Sequence, residues 1–435
     1  MKLTISQEKM VECIKRGGYA ALSDEAQTDN STLSRIVKSI KITATDDELI
    51  FESATSLIAS KYVEPVSDDV VVKESGTIMV SAKDLFDWVN KQNNCIVGIR
   101  LKTLDSPEVI NLIPGEEESS NKASIKKIGT VEITSRDSNK KGSKWSLDCL
   151  DHSIIPPIGE VDDLKPLFIA PLEQILDGIK YTVPFAMPKD TDHLFDAISF
   201  QNQNGTMYMM STDCTRCSTY KINNADNINI KESVSIEEYE KNGLGDDCWK
   251  WNLLIPFKFM SDVTKMFSNE SVVSFYRDED KNKVFICQPG FTVKMSTAEK
   301  DSFARFPFID MLISKDFSDF CALNKSQLLH RLNTVSIVNK NSILFVFTEK
   351  DLTLEAISES GLSPCKANMD VEDLSESMKV VFNVKHFMDA LKNYDGDSIK
   401  ILMSEKKNAI KIILPEKTNL EYYSMVIENT KYKTD

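Results

Sequence analysis

Ile78-Met79-Val80-Ser81-Ala82-Lys83-Asp84-Leu85-Phe86-Asp87, Leu254-Ile255-Pro256-Phe257-Lys258-Phe259-Met260-Ser261-Asp262 and Val381-Phe382-Asn383-Val384-Lys385-His386-Phe387-Met388-Asp389 are three copies of one pattern. In each, a short apolar run reads as a strand, and a Ser, Pro or Asn is placed to start a helix. A lysine precedes an aspartate by four residues in all three. The unit is strand, then helix, and its recurrence along one chain is the signature of a repeat architecture.

Behind each helix the sequence places two β-rich segments joined by a polar turn: 96–101 with 109–113, 272–276 with 284–287, and 399–403 with 410–414. Residues 144–147, 291–295 and 422–427 supply a third strand each. A related unit precedes every copy. Its helix is expected over 6–18, 171–182 or 324–336, where apolar residues recur at helical spacing, as in Leu172, Ile175, Leu176 and Ile179. Strands then follow over 39–43 and 49–52, 197–201 and 206–210, and 343–347 and 352–355. Each third of the chain is therefore a doubled unit of helix plus antiparallel strands. The fold class is α+β, three tandem domains with boundaries at 1–163, 164–315 and 316–435; Pro156-Pro157-Ile158-Gly159, Pro166 and Ser314-Lys315-Asp316 mark the linkers. Residues 115–141 and 223–247 read as long surface loops.

The 435 residues, 41% hydrophobic and 27% charged, exceed a single small core and exclude a disordered or fibrous chain. No apolar run approaches the ~18 residues of a membrane span, and Met1–Met10 has no signal-peptide core. Nine scattered cysteines argue for reduced thiols; a cytoplasmic location without membrane contact is expected. A net charge of −14 counts against a nucleic-acid partner unless the charge is unevenly placed. It is uneven. The six helical segments hold 12 Lys/Arg against 8 Asp/Glu, a net of +4, so the remainder carries −18. Their non-apolar faces present Lys9, Arg16, Lys83, Lys258, Lys265, Lys325, Arg331, Lys385 and Lys392. Lysines on a solvated helix face are ordinary, but a basic bias on six helices of an acidic chain points to an anion gathered by them.

Specific chemistry is scarce. Cys214-x-x-Cys217 is a lone pair with no second pair and no nearby histidine, and the four histidines are far apart. No phosphate-binding glycine loop, dinucleotide fingerprint or nucleophile elbow occurs. No catalytic residue, cofactor or metal is expected.

The chain resembles the bacterial-type DNA sliding clamp, the beta subunit of the replicative DNA polymerase, over essentially its whole length. Met1-Lys2-Leu3-Thr4-Ile5, Val80-Ser81-Ala82-Lys83, Thr212-Asp213-Cys214-Thr215-Arg216, Arg305-Phe306-Pro307, Phe382-Asn383-Val384 and Tyr422 to Ile427 carry the resemblance by their order and spacing. It implies the DNA clamp fold and a homodimer whose six domains close a ring, helices facing double-stranded DNA that is held by topology, without sequence preference. It implies a non-enzymatic processivity factor, with the replicative polymerase and a clamp loader as partners. Trp145 and Leu147 would meet Ile337 and Val338 of the other subunit at the dimer seam. Phe195, Thr212, Cys214, Arg216, Cys217, Pro307, Leu312, Met425 and Ile427 would line an apolar pocket for partner peptides. Cys214-Thr215 stands where the family usually has Gly-His, Met311 where an Arg is common, and an acidic 23–30 loop where relatives often offer an Arg. The alternative is an enzyme or structural protein reusing the clamp architecture without encircling DNA.

Overall fold

The computed structural model describes residues 1–29, 34–110, 125–137, 142–155, 158, 161, 164–187, 195–203, 206–223, 250–267, 272–278, 283–296, 316–356, 364–394 and 396–426. They fall into two compact units, Met1–Leu167 with Met266–Thr297, and Phe168–Lys265 with Ala298–Asp435.

The six expected helices form: α1 (Gln7–Gly17), α2 (Ala82–Asn90), α3 (Leu172–Thr182), α4 (Phe257–Val263), α5 (Lys325–Val335) and α6 (Val384–Leu391). Their starts follow local chemistry. Ser81 Oγ accepts from Asp84 N–H at 3.4 Å, Asn324 Oδ1 from Gln327 N–H at 2.9 Å and Asn383 Oδ1 from Lys385 N–H at 2.9 Å, each satisfying an orphan donor of the first turn. Pro171 and Pro256 instead hold the extended geometry before α3 and α4. Each helix buries an apolar stripe, such as Met10, Cys13 and Ile14 on α1 and Val384, Phe387 and Leu391 on α6.

In the first unit, one antiparallel sheet runs Val70–Glu74, Lys2–Ser6, Ile96–Ile110, Ile125–Arg136, Lys144–Leu150. A second includes Val272–Asp278, Lys283–Gln288, Phe291–Ser296, Ile58–Pro65, Glu48–Ala54, Ser39–Ala44 and Gly76–Ser81, in that order. In the second unit, eight strands run Lys250–Pro256, Ala197–Gln203, Thr206–Thr212, Arg216–Ile222, Leu420–Met425, Ala409–Ile413, Ser398–Ser404, Phe317–Asn324. Four more run Cys365–Asp370, Asp351–Ala356, Ile343–Phe347, Met378–Phe382.

Two expectations are corrected. Val109 and Ile110 end the long strand that begins at Ile96, and its hairpin partner is Ile125–Arg136, inside the stretch read as a loop. Gly129 permits that pairing, because a Cβ there would lie 2.5 Å from the carbonyl oxygen of Lys102. The expected loop over 223–247 lies outside the described residues, Asn223 apart.

Candidate functional site

The helix cations divide into two groups. On α1, Lys9 Nζ lies 3.2 Å from Glu64 and 3.7 Å from Glu12, while Arg16 is 3.0 Å from Glu12 and its guanidinium sits 5.0 Å from the Tyr62 ring centroid. Tyr62 O–H in turn donates to Glu64 at 2.6 Å, so both α1 cations belong to a network reaching the sheet. Lys325 is half-buried and donates to the Tyr394 carbonyl beside the Tyr394 ring, and Arg331 is also half-buried. Lys83, Lys258, Lys265, Lys385 and Lys392 are exposed. Of these, Lys265 pairs with Asp262 at 3.1 Å and Lys385 with Asp389 at 3.2 Å, ion pairs that water screens.

The expected pocket residues divide between exposed and buried positions. Thr212 closes one strand, Arg216 opens the next, and the turn between them carries Cys214 at φ 70°, exposed and left-handed. Asp213 Oδ1 ties this turn by accepting from Thr215 N–H at 3.1 Å, Thr215 O–H at 2.7 Å and Arg216 N–H at 3.2 Å. Burial would raise the Asp213 carboxyl, yet its bonds to Thr215 and Arg216 prevail and hold it below the usual range. Arg216 is a buried cation, its side chain 3% exposed. It donates to Asp213 at 2.8 Å, to Asp389 on α6 at 2.5 Å and to the Pro184 carbonyl at 3.0 Å, with Phe185 stacked 4.9 Å from the guanidinium. This pays the desolvation cost by giving the guanidinium three partners and an aromatic face. His386, from the same helix, is buried with Nδ1 2.8 Å from Ser424 Oγ; burial first, and Arg216 second, lower its pKa to about 4.

Cys217 is buried opposite Tyr423 across the joined strands, and Tyr423 packs edge-on against Phe317 at 5.8 Å. Phe195 is half-buried against the same cluster, and Met425 is exposed. Pro307, Leu312 and Ile427 lie outside the described residues. Sequence reasoning missed Tyr423, Phe317 and Asp389 here. Tyr423 stands one residue off the alternation that marks Tyr422 as core, and Asp389 is 173 residues from Arg216 in the chain.

Of the expected seam residues, Trp145 and Leu147 lie on an edge strand, and Ile337 and Val338 lie in the turn after α5. Lys144–Leu150 is the last strand of its sheet; Trp145 is half-buried and stacks on Trp88 of α2 at 6.4 Å, and Leu147 is buried. Lys144 lies 2.8 Å from Glu132, which the hydrogen bonds of Lys102 and Lys144 hold down at about 2. Ile337, just beyond α5, is 80% exposed, with Val338 half-buried beside it. A further edge missed in the sequence is Cys365–Asp370, first strand of its sheet.

The repeated units join through their third strands. Phe291–Ser296 pairs antiparallel with Ile58–Pro65, and Leu420–Met425 pairs antiparallel with Arg216–Ile222. The corresponding strands Lys144–Leu150 and Cys365–Asp370 are the two left without such a joint among the described residues.

Doubled units of helix and antiparallel strands, joined edge to edge, define the clamp class of proteins. Residues 311–428 match the family described as DNA polymerase III beta subunit, C-terminal domain. The chain is 20% identical over 411 residues to the beta sliding clamp of Chlamydia muridarum, covering 94% of each, and 21% identical over 378 residues to that of Staphylococcus epidermidis, covering 84% and 85%. Its fold superposes on the C. crescentus beta sliding clamp with TM-score 0.75 at 13% identity, and on the Bacillus subtilis clamp with TM-score 0.73 at 17%, each over 99% of both chains. Over 311–428 the chain thus matches the C-terminal domain of that family, and over nearly its whole length it is similar to bacterial beta sliding clamps.

Proposed function

We propose that this chain is a DNA sliding clamp, a non-catalytic processivity factor of the cytoplasm whose two copies close a ring around duplex DNA. Three domains per copy, 1–163, 164–315 and 316–435, supply the six segments of that ring. The observation that carries the reading is the unfinished series of sheet joints: among the described residues two are made within the chain, and one edge of each kind remains for a second copy. Pairing these edges satisfies backbone groups that an isolated chain leaves unpaired.

Within the ring, the exposed Lys83, Lys258, Lys265, Lys385 and Lys392 attract phosphates weakly and without sequence preference. Lys9, Arg16, Lys325 and Arg331 add positive potential while held by their own neighbours. Weak attraction suits sliding, since topology does the holding. The surface around Thr212, Cys214, Cys217, Phe195 and Met425, with Pro307, Leu312 and Ile427, takes short apolar peptides of the polymerase and the loader, and Arg216 braces its floor. Tethering through such a site raises a polymerase's effective concentration at the primer end. Sedimentation tests the assembly: a particle of twice 49.1 kDa at micromolar concentration supports it, and a strict monomer contradicts it.

A further inference from the structure

One oxygen of Asp389 serves two cations with different surroundings. Oδ2 accepts from Arg216 Nη1 at 2.5 Å and lies 3.2 Å from Lys385 Nζ. Arg216 is buried, whereas the Lys385 side chain is 67% exposed. Cations that share one carboxylate oxygen divide its charge, so each is held less firmly than it would be alone.

From Arg216 the contacts continue into the turn between Thr212 and Arg216. Arg216 Nε donates to Asp213 Oδ2 at 2.8 Å, and Asp213 Oδ1 accepts from the N–H groups of Thr215 and Arg216 at 3.1 and 3.2 Å. Within these bonds Cys214 is left-handed at φ 70°, a conformation that a residue with a Cβ keeps only where its surroundings impose it. The turn is tied to α6 by a second route. Met425 N–H donates to the Thr215 carbonyl at 3.0 Å, and Ser424 Oγ lies 2.8 Å from His386 Nδ1.

We propose that Asp389 couples phosphate contact on α6 to the order of the turn 213–216, an inference that rests on the clamp reading above. A DNA phosphate that draws Lys385 away leaves the whole carboxylate charge to Arg216. Arg216 then fixes Asp213 more firmly, and the left-handed turn is held where it would otherwise relax. The surface offered to apolar peptides is thus better ordered on DNA than off it, which lowers the ordering cost of binding one. Linkage makes the effect mutual: a peptide that orders the turn releases Lys385 toward phosphate by the same factor. That factor is modest, about two- to fivefold, because water screens the exposed Lys385.

Hydrogen exchange of the full chain tests the coupling, with and without a short blunt-ended DNA duplex at low ionic strength. Anisotropy of a labelled duplex reports binding separately. In wild type, bound duplex should slow exchange across 213–216 about two- to fivefold. Lys385→Gln should show the slower rate already without DNA, and duplex should add nothing. Lys392→Gln removes the exposed lysine at the end of α6, leaves the Asp389 contacts in place and should keep the response. Duplex that binds wild type without changing this exchange overturns the coupling and leaves the clamp standing, as does a response that survives Lys385→Gln. A duplex that does not bind overturns the clamp reading and the coupling with it.

Discussion

Arg216 and Lys385 both reach Asp389, and they do so under opposite conditions: Arg216 at 2.5 Å with 3% of its side chain exposed, Lys385 at 3.2 Å with 67% exposed. Arg216 has exchanged water for three oxygen partners and the face of Phe185, so its charge is committed to the fold. Lys385 keeps its hydration and its freedom to move. One aspartate thus separates two uses of positive charge, a rigid brace within the fold and, in the proposed function, a loose attraction for phosphates. The proposed clamp, holding partners and yet sliding, would use both.

The largest expected effect tests the brace. Arg216→Ala leaves the half-buried Asp213 without its cation and Asp389 with only the exposed Lys385, and should destabilise the second unit by about 3–5 kcal/mol in urea unfolding; a loss under about 1 kcal/mol would mean the cluster is not structural. Next comes the seam. Trp145→Glu replaces the stack on Trp88 with a charge at the edge and should weaken the dimer by about 3 kcal/mol, over a hundredfold, so light scattering should report monomers; an unchanged mass would refute that edge.

A smaller effect comes from His386. Its folded pKa of about 4 lies below the ordinary 6.5, so the folded state resists its protonation. The associated stability is whole above pH 6.5 and declines as pH falls toward 4, by up to about 3 kcal/mol. His386→Gln should flatten the melting temperature over that interval, and a slope identical to wild type would assign the pH dependence elsewhere. The least effect on folding belongs to the loose charges. Reversing Lys258, Lys265, Lys385 and Lys392 to Glu should shift unfolding by no more than about 1 kcal/mol while reducing loading on DNA and its salt dependence. Unaltered loading would show that these helices do not face the duplex.

Much of this arrangement was legible in the sequence because helix caps and apolar periodicity are local. Ser81, Pro256 and Asn383 announce their helices within four residues, and the short strands alternate cleanly. Ile125–Arg136 was harder to see: Lys126 and Lys127 interrupt its apolar pattern, Gly129 reads as a breaker, and the run Glu116-Glu117-Glu118 suggests one continuous loop. The joints between repeats were invisible for a different reason. Cys217 opposite Tyr423 and Phe291 opposite Tyr62 join residues far apart in the chain, and nothing in either strand alone specifies its neighbour. Of the expected pocket positions, Phe195, Thr212, Cys214, Arg216, Cys217 and Met425 lie among the described residues. The surroundings of Arg216 were not legible, since its partner Asp389 comes from a distant helix.

Retention on DNA tests encirclement most directly. The protein should be loaded onto linear duplexes whose ends are open or capped by bulky blocks, and its lifetime followed at moderate salt. A threaded ring predicts rapid loss from open ends and long retention on capped molecules, with release on a single cut between the blocks. Equal lifetimes on all three would contradict the account.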